Sequence, residues 1–233
     1  MMYGSAGRWR RLPAGRPDQA ATRGMLVFAV LAAGLALAGC SPSGGQGRGT
    51  GDGGNSAQSA PAQCVAPAGA RTQDIDPEDS PVKPWRKPAG RELVVEFETG
   101  GLSERYARLV SEGTGIWSRS PCLNAVVVQS CSAGANCVTI VEDDSRSRRT
   151  DGEMEWDGDD AYMEGASITL YTRPLDRYSD NGALATVVHE MGHALGLDHR
   201  LERSDVMNAV TGDDTDPVPD AVDFANLAVL YGS

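Results

Sequence analysis

Apolar and polar positions divide this 233-residue chain into three unequal parts. Residues 25–38 form one apolar run behind a basic stretch. Residues 41 to about 70 are rich in Gly, Ser, Ala, Pro and Gln, with too little apolar content to build a core. From residue 91 the patterns of a folded domain begin. Residues 92–98 read as a strand, and Ser103 is a good N-cap for a helix running to about Ser118. Tyr106, Leu109, Val110, Gly113, Ile116 and Trp117 fall on one face of that helix, which would pack on the sheet. Residues 123–129 and 138–142 are further strands, separated by a loop containing Cys131 and Cys137. Residues 167–171 make another strand, residues 182–195 a helix and residues 220–230 the last helix. In the 182–195 helix, Leu184, Val187, Val188, Met191 and Leu195 face the core. Strands mixed with a few helices give an α+β domain over residues 91–233, preceded by a leader (1–39) and a flexible tether (40–90) in which Trp85 is a candidate anchor onto the domain.

Chemistry enters with the helix at 182–195. The chain has three histidines, and all lie between 189 and 199. His189 and His193 are four apart, so a helix places both imidazoles on one side, within reach of one metal ion. Glu190 adjoins the first and can take a proton from an activated water. Gly196 can adopt the left-handed conformation that ends the helix and brings His199 back as third ligand. Three neutral nitrogen ligands with one open position describe catalytic zinc, whereas structural zinc has four protein ligands.

The pattern His189-Glu190-x-x-His193-x-x-Gly196-x-x-His199 resembles the metzincin zinc proteases, and 192–199 is similar to the matrixin, or matrix metalloprotease, branch. Met207 follows His199 at the spacing of the matrixin Met-turn, and residues 223–232 resemble the end of the last matrixin helix. The stretch from Glu92 to Trp117 is also similar to small bacterial snapalysin-like metzincins, in which the third ligand is typically Asp; His199 argues for the matrixin-type site. The resemblance implies a twisted mixed sheet, two main helices, a small lower lobe from Asp198 onward, and zinc in the cleft between the lobes. It implies a zinc endopeptidase with His189, His193 and His199 as ligands, Glu190 as general base and Met207 as a hydrophobic floor beneath the ligands. Asp223 would support the Met-turn by hydrogen bonding, and residues 205–219 would wall the specificity pocket. Some metzincins carry a Tyr two residues after the Met; here Ala209 stands there.

Residues 142–164 are acidic and Gly-rich and resist assignment. By resemblance this region carries structural ions and the edge strand that binds substrate, so an edge strand is expected within 153–164. With every histidine committed, a second, structural zinc is not expected. Carboxylates from Asp143 to Asp160 offer the oxygen ligands that calcium takes; a solvated loop is the alternative. A second acidic loop, Asp213, Asp214 and Asp216, has the same two readings.

The leader bears Arg8, Arg10, Arg11, Arg16 and Arg23 ahead of an apolar run too short to span a bilayer. It ends Leu37-Ala38-Gly39-Cys40, which resembles the bacterial lipobox and implies cleavage before Cys40 and lipidation of its thiol; a plain signal peptide is the alternative. That would place the domain outside the cytoplasm, tethered at the cell surface or in the periplasm. Four cysteines then remain, Cys64, Cys122, Cys131 and Cys137, an even set that suggests two disulfides in an exported chain. Pairing 131 with 137 would close a short loop and leave 64 with 122; a Cys64 thiolate blocking the zinc is the competing reading. The whole chain carries −11; residues 1–39 contribute five Arg and one Asp, a net +4, so the rest carries −15. Such acidity argues against nucleic acid as a partner. A monomer acting on protein or peptide substrates is expected. The alternatives are a tethered binding module with the same fold and a non-catalytic zinc, and zinc hydrolysis of a non-peptide bond.

Overall fold

Alternating burial in five short segments builds one sheet. The computed structural model describes residues 63–66, 68–69, 83–145 and 150–232, and all of these fall in one compact unit. The strands are β1 (Leu93–Glu98), β2 (Leu123–Val128), β3 (Asn136–Asp143), β4 (Gly152–Gly158) and β5 (Met163–Tyr171). The helices are α1 (Glu104–Trp117), the short α2 (Thr172–Leu175), α3 (Asp180–Ala194) and α4 (Ala221–Tyr231). The order across the sheet is β2-β1-β3-β5-β4; β4 alone runs antiparallel, paired only to β5, and forms one edge. The architecture is the expected α+β arrangement of a mixed sheet with a few helices.

Leu93, Val95 and Phe97 of β1 are fully buried, as period-two alternation requires when one sheet face is covered. The covering layer is α1 and α3. Tyr106, Leu109, Val110, Gly113 and Trp117 of α1 are buried as the helical spacing predicts; Ile116 is only partly so. The Trp117 indole nitrogen donates to Val188 O of α3 at 3.0 Å, fixing the two helices against each other. Ser103 caps α1 by backbone conformation only; its N–H donates instead to Glu142.

The chain ahead of residue 91 also packs into this unit. Trp85 is 1% exposed and sits in the core, its indole donating to Ala194 O at the end of α3 (2.6 Å). Its backbone N–H donates to the Tyr231 hydroxyl, which donates in turn to Leu195 O. Cys64 is bonded to Cys122, and Cys131 to Cys137. The 64–122 bridge closes a long loop, the kind whose loss costs about 2–5 kcal/mol in a small exported domain. The packed domain therefore reaches upstream of residue 91, where composition drew its boundary. The leader, Cys40 and most of the tether lie outside the described residues. Within the described residues, no helix is long and apolar enough to cross a membrane.

Candidate metal centre

Helix α3 begins where Ser179 accepts a hydrogen bond from Gly182 N, with Asp213 accepting in turn from the Ser179 backbone and hydroxyl. Asp213 thus has a structural task on a loop that reads in sequence as a calcium candidate. The helix ends as Gly196 turns left-handed at φ 97°. Gly196 N donates to His193 O and Leu197 N to Gly192 O, the paired bonds of a Schellman motif. The reversal carries the chain back to His199.

The three imidazoles converge. His189 Nε2 lies 3.0 Å from His193 Nε2 and 3.3 Å from His199 Nε2, and all three residues are buried. His189 Nδ1 lies 2.7 Å from Val206 O, and His193 Nδ1 2.7 Å from Leu197 O. A carbonyl can only accept, so at these two rings Nδ1 carries the proton and Nε2 presents a bare lone pair. Burial, then the neighbouring His199, lowers His189 to about 3; burial and both neighbouring rings hold His193 well below the usual histidine range. Buried neutral rings pointing lone pairs at one another are unfavourable unless a cation sits between them. At a zinc–nitrogen distance of about 2.0–2.1 Å, tetrahedral ligand nitrogens stand roughly 3.3 Å apart. The spacing found here fits that ion.

Glu190 is buried beside the ligands, with Oε2 lacking a hydrogen-bond partner among the described residues. Burial first, then Glu153 and Asp151, pushes its carboxyl up to about 8. A divalent cation nearby is the kind of charge that reverses such a shift. Among the described residues every cysteine is in a disulfide, and Cys64, the thiolate candidate, is oxidised with Cys122.

Met207 is fully buried, its sulfur packed against Gly192 of α3 and so beneath the ligand-bearing turn. Its N–H donates to Asp205 (2.7 Å) and its carbonyl accepts from Arg200 N (2.8 Å). Asp223 reaches this turn through an intermediary: it accepts from the Arg200 guanidinium at 3.2 Å and closes a capping box with Asp220 at the start of α4. The buried Arg200 side chain is also paired with Asp205 and Asp220. No short motif marks Arg200, and Asp205 stands in the 205–219 stretch expected to wall the specificity pocket; only the fold gathers Asp205, Asp220 and Asp223 around one guanidinium. That cluster could hold a metal by its composition, but Arg200 already supplies its positive charge. The carboxylates from Asp143 to Asp160 form no three-ligand group among the described residues.

The edge strand expected within 153–164 is β4, and it starts one residue earlier, at Gly152. Gly152, Met154 and Trp156 face the core; Glu153, Glu155 and Asp157 face outward. Gly152 lies directly against the Glu190 side chain, so the free edge of the sheet runs out from beside the histidine cluster.

The family model described as Matrixin (peptidase M10) matches residues 136–232, which include β3, β4, β5, all three histidines and α4. No curated protein matches the chain. Among solved structures, the chain is similar to metalloproteinase-II from Bacteroides fragilis, with 16% identity and a TM-score of 0.40, over 66% of this chain and 57% of that one. It is also similar to myroilysin, with 15% identity and a TM-score of 0.38, over 69% of this chain and 95% of that one. This chain thus spans little more than half the length of the Bacteroides protein.

Proposed function

We infer that this protein, whose residues 136–232 form a matrixin-like metzincin domain, is a zinc-dependent metalloendopeptidase that cuts peptide bonds with Glu190 as general base. The observation that carries the reading is the meeting of three buried imidazoles, two of them held neutral, with a carboxylate oxygen at their side that lacks a hydrogen-bond partner among the described residues. His189, His193 and His199 would hold the ion. When bound, zinc would acidify water toward a pKa of about 7 and polarise the scissile carbonyl.

The remaining work falls to the chain. Val206 O and Leu197 O hold two of the rings in the tautomer that ligation needs. Glu190 accepts the proton of the attacking water as the new C–O bond forms. It then delivers that proton to the amine nitrogen as the C–N bond breaks, so one carboxylate serves both steps. The buried surroundings of Glu190 keep bulk water from competing for the proton. Met207 closes the floor beneath the rings. The outer rim of β4 supports peptide binding by strand addition: main-chain hydrogen bonds would draw an extended substrate alongside Gly152–Gly158 and bring its carbonyl to Glu190.

The basic leader, the apolar run and Leu37-Ala38-Gly39-Cys40 support export and lipid anchorage through Cys40. Two disulfides agree with an oxidising compartment. Casein and a peptide library, incubated with the full chain with and without a chelator, test the activity. Cleavage that stops on chelation and returns with zinc is expected; chelator-resistant cleavage, or none with zinc loaded, would refute it.

A further inference from the structure

A Cβ atom placed on Gly152 would lie 2.6 Å from both Cγ and Oε1 of Glu190 and 2.9 Å from its Cδ. Contacts between non-bonded heavy atoms are favourable at about 3.5–4.0 Å, so any side chain here would collide with the carboxylate. The backbone does not call for glycine: Gly152 is absent from the positive-φ glycines and pairs in ordinary register with Leu170 of β5. Glycine inside a strand also weakens it, lacking a side chain to pack. The residue type is explained by Glu190 and by nothing local to the strand.

The strand is also held still at this point. Thr150 Oγ1 donates to Gly152 O at 2.7 Å, and Tyr171 N donates to Asp151 O at 3.0 Å. On either side of Gly152, the Tyr178 hydroxyl donates to Asp151 (2.7 Å) and the Tyr171 hydroxyl to Glu153 (2.8 Å). Four hydrogen bonds therefore fix a bare stretch of backbone against the flank of one buried glutamate.

We propose that Gly152 is a positioning residue: its missing side chain forms the seat that sets where the Glu190 carboxylate stands beside the three imidazoles. The proposal rests on the reading of Glu190 as the base, but the seat itself can be tested without catalysis. The experiment is a double-mutant cycle in the full chain, combining Gly152→Ala with Glu190→Ala. Thermal unfolding is measured with zinc removed and with zinc restored, and zinc content is read by elemental analysis.

G152A is expected to lower Tm when Glu190 is present and to leave Tm unchanged, or raise it, when residue 190 is Ala. Should G152A fail to fold, recovery of a folded protein on adding E190A is the same result in stronger form. In the active background G152A should retain zinc and reduce kcat about 10- to 100-fold with KM little altered, the size of effect a displaced catalytic group produces. An equal loss of Tm in both backgrounds, or an unchanged kcat in a zinc-loaded G152A that cleaves, would overturn the seat. A wild-type chain that cleaves nothing would count against the endopeptidase reading, while the Tm cycle would still decide the seat.

Discussion

The candidate metal centre has two walls, and they are made by opposite means. The wall formed by α3, its terminal turn and the Met-turn is all side chain and deeply buried. Its rings are aimed by backbone carbonyls and its far end is clamped by Arg200 among three aspartates. The wall formed by β4 is backbone at its inner limit, where Gly152 meets Glu190, and carries half-buried acidic side chains further out. One wall fixes what chemistry is available; the other leaves hydrogen-bonding groups on a free edge for a partner to use. The lesson is that rigidity and openness are segregated: the buried wall should be intolerant of change, and the edge wall tolerant in stability but sensitive in binding.

The largest break comes from the ligand wall. His199→Ala removes one of three converging nitrogens and should abolish stoichiometric zinc together with peptide hydrolysis, as elemental analysis and a peptide assay would show. Next is the clamp. Arg200→Met leaves Asp205, Asp220 and Asp223 without their shared cation, and breaking a buried pair costs about 3–5 kcal/mol. A large fall in Tm and weaker zinc retention are expected; an unchanged Tm would mean that Arg200 holds nothing together.

A smaller effect sharpens the electrostatics of the same wall. Burial, then Asp205, raises Asp223 to about 7 from an ordinary 3.8, because one guanidinium cannot neutralise three neighbouring carboxylates. Between those values the folded chain keeps a proton that the unfolded chain has released, so this group's contribution to stability falls as pH rises through that window. Asp223→Asn should flatten the decline of Tm between about pH 4 and 7. Least of all, Glu155→Gln on the outer face of β4 should change stability by no more than about 0.5 kcal/mol. Any effect of that variant should lie in KM for peptides, where the edge-strand account places it.

The same division explains what the sequence could disclose. The ligand wall is local: three histidines, Gly196 and Met207 sit within a short span, the helix spacing pairs His189 with His193, and the resemblance to matrixins marks Met207. Helix α1 and strand β1 are legible for the same reason, through periodic burial. Strand β4 carries the same alternation, Met154 and Trp156 between acidic residues, but it is short and set in an acidic, Gly-rich stretch, so its bounds and its place in the sheet come from pairing with β5. Trp85 could be named as an anchor, but its partners Ala194 and Tyr231 lie 109 and 146 residues away, beyond any local signal. The role of Arg200 was hidden likewise, since its three aspartates are brought to it by the Met-turn and by the start of α4. Gly152 looks like one loop glycine among many until α3 is folded against it.

The most direct measurement sets wild type and Glu190→Gln side by side, full-length and oxidised, recording zinc per chain and the rate of peptide cleavage. The account predicts one zinc in each and a loss of about 10²–10⁴-fold in rate for the variant, the span that general acid–base catalysis supplies. Equal rates, or a folded wild type that binds no zinc, would contradict it.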